Sequence, residues 1–302
     1  MRTVPLAAGS DSAGSANQSL ARVKNISRAD FIRQYVIPRK PCIMENATPG
    51  WTSLAKWTPD FWRTTYGSKK VKIDGKELTM REVIDLAVAS SNEHPAPYYR
   101  NINVTREYPE LIADLQPHPE CCQPSWLRSI LFAPIKNIMS GGGGQYELFI
   151  GGTGRSFPYL HYDSPGAHTV IHQITGYKNF IFFPPSDGQY LYPKPDSGFA
   201  VSQIPDVDQV DLAKFPLFKN VTRFDDTLGP GDTLFMPCGW WHTAKMASFS
   251  IGLGIDVANE SNWPDVLNYM ERKARLRNPI LAFVYMSYMR LAGFILARTA
   301  KL

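Results

Sequence analysis

Four cysteines in 302 residues, Cys42, Cys121, Cys122 and Cys238, are too few and too irregularly spaced for a disulfide framework. A reduced, intracellular protein is expected, cytoplasmic or nuclear. The N-terminus lacks an apolar run of signal-peptide length. The most apolar stretch, Pro279 to Ala297, is interrupted by Arg290 and diluted by Ser287 and Tyr288. A buried or dimer-forming helix is expected there rather than a membrane span. Phosphate-binding loops are missing too, because no Lys-Ser/Thr follows the Gly141–Gly144 run. There is no G-x-S-x-G elbow and no Ser-His-Asp set for acyl transfer. Cys238-x3-His242 has zinc-like spacing, but no second pair completes four ligands.

An extended basic surface is also lacking. The formal net charge is +5, but it is unevenly placed. Residues 1–40 and 263–302 each hold seven Lys/Arg against two acids, which leaves 18 Lys/Arg against 23 acids in between. The centre of the chain is therefore acidic, and no nucleic-acid partner is expected. An acidic face would suit a basic peptide.

What is present is an ordinary globular composition, 44% hydrophobic and 12% aromatic, with seven tryptophans. Residues 1–20 are small and polar and read as a disordered arm. Helix starts are expected at Ser27 and, capped, at Trp57-Thr-Pro-Asp-Phe-Trp62, and a third helix from Met80 to Ala89. After Gly141–Gly144 the texture changes to short apolar runs broken by Gly and Pro. These are Glu147–Ile150, His168–Ile174, Asn179–Phe183, Thr233–Met236 and Ser248–Val257. Gly229-Pro-Gly-Asp232 is a strong turn between two of them. This is the rhythm of a mainly β barrel or sandwich. Helix returns from about Pro264 to the end.

His161-Tyr-Asp163 carries the chemistry. In a strand, residues i and i+2 share a face, so an imidazole and a carboxylate can grip one ion. His242, 81 residues further on, supplies a third ligand. Two His and one carboxylate form a facial triad that leaves positions open on an octahedral iron. Strand parity places Thr169, Ile171 and Gln173 on one face, and His168, Val170 and His172 on the other. His168 and His172 have helical zinc spacing in a segment that reads as strand, so they are taken as non-ligands.

The stretches Phe157-Pro-Tyr-Leu-His-Tyr-Asp-Ser-Pro-Gly-Ala-His168, Gln173-Ile-Thr-Gly-Tyr-Lys-Asn-Phe-Ile-Phe-Phe-Pro-Pro185 and Gly229-Pro-Gly-Asp-Thr-Leu-Phe-Met-Pro-Cys-Gly-Trp-Trp-His242 resemble the JmjC-type cupin oxygenases. Within that family they are most similar to asparaginyl and lysyl hydroxylases. The resemblance runs from about Ser27 to Asn259 and implies a double-stranded β-helix (jelly-roll) core with flanking N-terminal helices. It implies an oxygenase domain over 21–262 and a helical appendage over 263–302 that pairs two copies into a homodimer.

The resemblance further implies Fe(II) at His161, Asp163 and His242, with 2-oxoglutarate as co-substrate and O2 as oxidant. Lys178 would pair with the distal carboxylate of 2-oxoglutarate. Physically, a buried lysine needs such an anion to offset its desolvation. Thr169 and, more loosely, Tyr99 match positions that touch the co-substrate. The family's Thr or Ser just before the first His is absent; Pro158 and Tyr159 stand there, so Ser156, Tyr159 or neither completes the pocket. The implied reaction is hydroxylation of a C–H bond in a protein, peptide or small molecule, with release of succinate and CO2. N-methyl demethylation and a non-oxygenase metal-binding cupin are the alternatives. Asp163, where the demethylases more often carry Glu, favours hydroxylation.

Overall fold

The structure is a computed structural model that describes residues 18–135, 145–163, 166–195, 201–275 and 279–302. Most of the arm expected over residues 1–20 and the Gly141–Gly144 connector lie outside the described residues.

Two facing β-sheets make the core. Strands β1 (Ala21–Lys24), β2 (Cys42–Glu45), β3 (Lys70–Ile73), β4 (Lys76–Thr79), β5 (Tyr99–Asn103) and β6 (Glu147–Gly151) come first. Then follow β7 (His168–Thr175), β8 (Lys178–Phe183), β9 (Phe224–Leu228), β10 (Thr233–Met236), β11 (Trp241–Met246) and β12 (Ser250–Val257). The large sheet runs β1-β2-β10-β7-β12-β6-β5, and the small one β11-β8-β9. Among the described strands, β1 and β2 pair in parallel, and the other ladders of these sheets are antiparallel. β3 and β4 form a separate hairpin. Its two-residue turn, Asp74-Gly75, has positive φ at both positions, as a type I′ turn requires.

Local chemistry explains the element ends. At Gly229–Asp232, Pro230 fixes the first central φ and Gly231 takes φ 88°, so the chain reverses between β9 and β10. Helices α1 (Arg28–Phe31), α2 (Ser53–Lys56), α3 (Pro59–Thr65), α4 (Met80–Ala89) and α5 (Val104–Glu107) flank the large sheet. Thr58 caps α3, and Thr79 with Glu82 forms a capping box on α4. The apolar face of α4 (Met80, Val83, Ile84) joins Trp57, Trp62, Val170 and Leu253 in one buried cluster. That cluster takes up the outer face of the large sheet, so the inner face is left for the site.

The C-terminal helices are α6 (Trp263–Arg275) and α7 (Pro279–Thr299). One face of α7, with Met286, Met289, Ala292 and Leu296, packs on Trp126, Phe132 and Trp263 of its own chain. Gly293 permits this approach, since a Cβ there would stand 2.1 Å from the Trp263 indole nitrogen. The opposite face stays apolar and exposed, with Phe283 at 73%, Val284 at 61%, Leu291 at 59% and Phe294 at 57%. Among the described residues, no helix is long and apolar enough to cross a membrane.

Candidate metal centre

His161 precedes β7 on an isolated bridge, whereas His242 is the second residue of β11. Their backbones bond each other reciprocally: His161 N donates to His242 O at 3.1 Å, and His242 N donates to His161 O at 2.7 Å. Directly opposed residues of such a pair project to the same side. The two imidazoles consequently lie with ring centroids 4.3 Å apart. Asp163, two residues on, joins them, and the ligand atoms of all three lie within 4.8 Å of one another.

The hydrogen bonds fix which atoms face inward. His161 Nδ1 lies 3.2 Å from Tyr159 O, and His242 Nδ1 lies 3.3 Å from Trp240 O. A carbonyl can only accept, so each Nδ1 carries a proton and each ring turns its Nε2 inward. Those nitrogens stand 3.3 Å from Asp163 Oδ1 and 3.8 Å from Asp163 Oδ2. Burial, only partly offset by Asp163, lowers His242 to about 4, so it is neutral at pH 7. Burial alone would raise the Asp163 carboxyl. The facing His242 and His161 imidazoles and the hydrogen bond from Thr169 outweigh this and hold it well below the usual carboxylate range. Two imidazole nitrogens and a carboxylate thus converge, a donor set that fits a divalent cation. Phe157 stacks on His161 at 4.5 Å and fixes the ring plane.

The trio lines a cavity of about 270 Å³ between the sheets. Lys178, at the start of β8, also lines it and is only 6% exposed. Its Nζ donates to Tyr98 Oη at 3.2 Å and lies over the rings of Phe180 and Phe149 at 5.1 and 5.3 Å. Among the described residues it makes no ion pair. Burial pulls it down to about 8, with Asp163 acting in the opposite sense. Gly254, on the wall between, leaves room that a side chain would take; its Cβ would stand 3.2 Å from Phe149.

The expected residues divide. Thr169 lines the cavity, but its hydroxyl donates to Asp163 Oδ2 at 2.6 Å, so that proton is not free for a co-substrate. Tyr99 is corrected: it does not line the cavity, and its hydroxyl bonds Tyr108 at 3.1 Å in the outer core. Neighbouring residues of an extended chain point to opposite faces, so Tyr98 reaches Lys178 instead. Of the two alternatives before His161, Tyr159 lines the cavity and Ser156 does not. His168 and His172 sit on the far face of β7 with protein partners. His168 Nδ1 accepts from Cys238 N and its Nε2 meets Ser261, while His172 Nδ1 meets Thr233. Burial lowers both to about 3.

Two acids were missed. Glu147 and Asp256 line the cavity beside Thr169. Burial, reinforced by Asp163 and Glu147, pushes Asp256 well above the carboxylate range. Asp256 is paired with Thr169 across the β12–β7 ladder. Its parity with Gly252 and Gly254 along β12 is the signal that could have found it.

A family profile described as a cupin-like domain matches residues 63–266, more than half of the chain, and the chain belongs to that family. The human tRNA wybutosine-synthesizing protein 5 is 26% identical over 264 residues, covering 78% of this chain and 76% of that protein. The Arabidopsis thaliana arginine-specific demethylase JMJ22 is 24% identical over 263 residues, covering 84% of this chain and 49% of the relative. The Danio rerio lysine-specific demethylase 8 is 24% identical over 252 residues, covering 78% and 57%. The resemblance to the JmjC-type cupins is borne out.

Proposed function

We propose that this cupin-like protein is an Fe(II)- and 2-oxoglutarate-dependent oxygenase that hydroxylates a C–H bond of a protein or peptide side chain. One observation carries the reading: three inward electron-pair donors and an ammonium that has no ion-pair partner among the described residues share a single cavity. The first suits a cation and the second an anion, and a metal chelated by a dicarboxylate satisfies both.

His161, Asp163 and His242 would hold the iron. When bound, iron and 2-oxoglutarate supply the oxidative chemistry: O2 decarboxylates the co-substrate to succinate and CO2 and places one oxygen on the substrate. The chain's own part is binding and orientation. Lys178 pairs with the distal carboxylate, and the Tyr98 hydroxyl holds the ammonium in place. Burial keeps the Tyr98 phenol protonated by raising it far above its ordinary value. Phe149 and Phe180 exclude water around that ion pair, which strengthens it. Phe157 and Tyr159 line the cavity beside the three ligands, where they would meet a substrate.

Demethylation is a second reading, supported by the relatives named as arginine- and lysine-specific demethylases. The relative named for tRNA brings back the nucleic-acid class that the acidic centre argues against. The test is succinate formation from 2-oxoglutarate with Fe(II), followed by mass spectrometry of candidate peptides and a tRNA pool. A gain of one oxygen atom supports hydroxylation. Formaldehyde release with loss of a methyl group supports demethylation. Absence of succinate with every substrate offered, together with intact metal binding, supports a binding module instead.

We also propose a homodimer. The exposed apolar residues of α7, Phe283, Val284, Leu291 and Phe294, are what a second copy would cover. Arg290 on that helix is held by Glu271 of α6 at 3.0 Å, which ties the two helices into one unit for a second copy to cover.

A further inference from the structure

We infer that Thr169 is a positioning residue that restricts Asp163 to binding the metal through a single oxygen. This rests on the oxygenase reading above.

The Asp163 carboxylate has two chemically equivalent oxygens, and the protein treats them differently. Oδ2 accepts the Thr169 hydroxyl at 2.6 Å, a length typical of a strong hydrogen bond to an ionised acceptor. Oδ1 faces His161 Nε2 at 3.3 Å, and Oδ2 stands farther off, 3.8 Å from His242 Nε2. The oxygen that Thr169 does not hold, and that is left for a metal, is therefore Oδ1, while Oδ2 is tied to β7. Thr169 cannot easily drift away. It is buried on the inner face of β7, between its ladder partners Met236 of β10 and Asp256 of β12.

The chemistry makes this restraint consequential. Two imidazoles and one carboxylate oxygen take three positions of a six-coordinate metal. A chelating co-substrate takes two more, and one remains for O2. A carboxylate bound through both oxygens would occupy that last position or displace one arm of the chelate. Carboxylates bind metals in either mode, so the outcome depends on what holds the second oxygen. Here a threonine hydroxyl does so. The β-branched side chain restricts χ1 and keeps the hydroxyl aimed at Asp163.

The test needs no turnover. Mn(II) is titrated into the full-length protein, and the number of exchangeable metal-bound waters is read from solvent proton relaxation. 2-Oxoglutarate affinity for the Mn(II)-loaded protein is measured by calorimetry. Thr169→Val, which keeps the shape and removes the hydroxyl, is expected to lose one exchangeable water. It should also weaken 2-oxoglutarate by about tenfold or more, as removal of a group orienting a metal ligand does. Thr169→Ser should restore both. Lys178→Ala should weaken 2-oxoglutarate while leaving the water count at the wild-type value. A Thr169→Val protein with wild-type water count overturns the inference, even if its metal affinity falls, because a merely structural hydroxyl would act that way. A wild-type protein that shows no relaxation enhancement, or one whose enhancement survives His161→Ala, overturns the metal reading itself.

Discussion

Replacing Lys178 by Met removes a buried ammonium while keeping most of its volume, and two opposite effects should follow. In the free protein the ammonium is a burden. Its value falls from the ordinary 10.5 to about 8, and the main cause is burial. Between about 8 and 10.5 the unfolded chain retains a proton that the folded chain has released. Stability therefore rises with pH through that window, and the penalty is fully present below about 8. The displacement corresponds to roughly 3 kcal/mol. Lys178→Met should be more stable than the wild type at pH 7 by an amount of that order, and the difference should vanish by pH 10.5.

Binding reverses the sign. A bound dicarboxylate holds the proton on Lys178, so 2-oxoglutarate should bind with proton uptake above about pH 8 and should weaken as pH rises further. Losing the contact costs on the order of 2–5 kcal/mol, or roughly 30-fold or more in affinity. The assays are urea unfolding of both metal-free proteins across pH 7–10.5 and calorimetry of 2-oxoglutarate binding in buffers of different ionisation enthalpy. An unchanged 2-oxoglutarate affinity in Lys178→Met, or equal stability of the two proteins at pH 7, would refute the placement of a naked ammonium in this cavity.

Four further outcomes are expected. His161→Ala, Asp163→Ala and His242→Ala should each abolish metal binding, measured by calorimetry, while the unfolding midpoint stays close to wild type; retained metal affinity in Asp163→Ala would remove the carboxylate from the ligand set. Gly254→Val should block 2-oxoglutarate without loss of metal, because even its Cβ would stand 3.2 Å from Phe149; equilibrium dialysis with both ligands checks this. Thr79→Ala should cost about 1 kcal/mol in urea unfolding, the usual loss for a helix N-cap, and leave metal affinity unaltered. Light scattering should find a dimer for the full chain and a monomer for Phe283→Glu/Phe294→Glu; a monomeric wild type would end the α7 pairing proposal.

Five strands of the core, β6, β7, β8, β10 and β12, were legible because each carries an apolar run, whereas β1, β2, β5 and β9 were not read. Thr233–Met236 was read with both ends correct, and Met80–Ala89 likewise among the helices, since a capping box and a Ser bound it. β11 was not read as a strand. Trp241-His-Thr-Ala-Lys-Met246 mixes polar and apolar residues, and it becomes a strand through pairing with β8, a long-range contact that no local pattern records. The Asp74-Gly75 hairpin was overlooked despite its turn signal. Tyr99 was one residue off. Parity along a strand separates the two faces completely, so a loose alignment that slips by one position exchanges a cavity residue for a core residue.

The three candidate metal ligands could be named from the sequence, but their coming together could not be read from their spacing. His161-x-Asp163 is local; His242 is 81 residues away, and nothing between the two implies contact. The structure joins them through one reciprocal backbone pair at the rim of the small sheet. That device also explains the ring tautomers. With the backbone amides and carbonyls of His161 and His242 bonded to each other, the carbonyls of Tyr159 and Trp240 lie within reach of the Nδ1 protons. The same bridge that fixes where the imidazoles stand thus leaves both Nε2 lone pairs directed at Asp163. Thr169 then settles the carboxylate from the neighbouring strand. Position, tautomer and denticity are each set by backbone or a short polar side chain rather than by the ligands themselves. A Phe180 or Gly254 substitution would change the room for the co-substrate, whereas a register shift of β11 against the His161 segment would dismantle all three ligands at once.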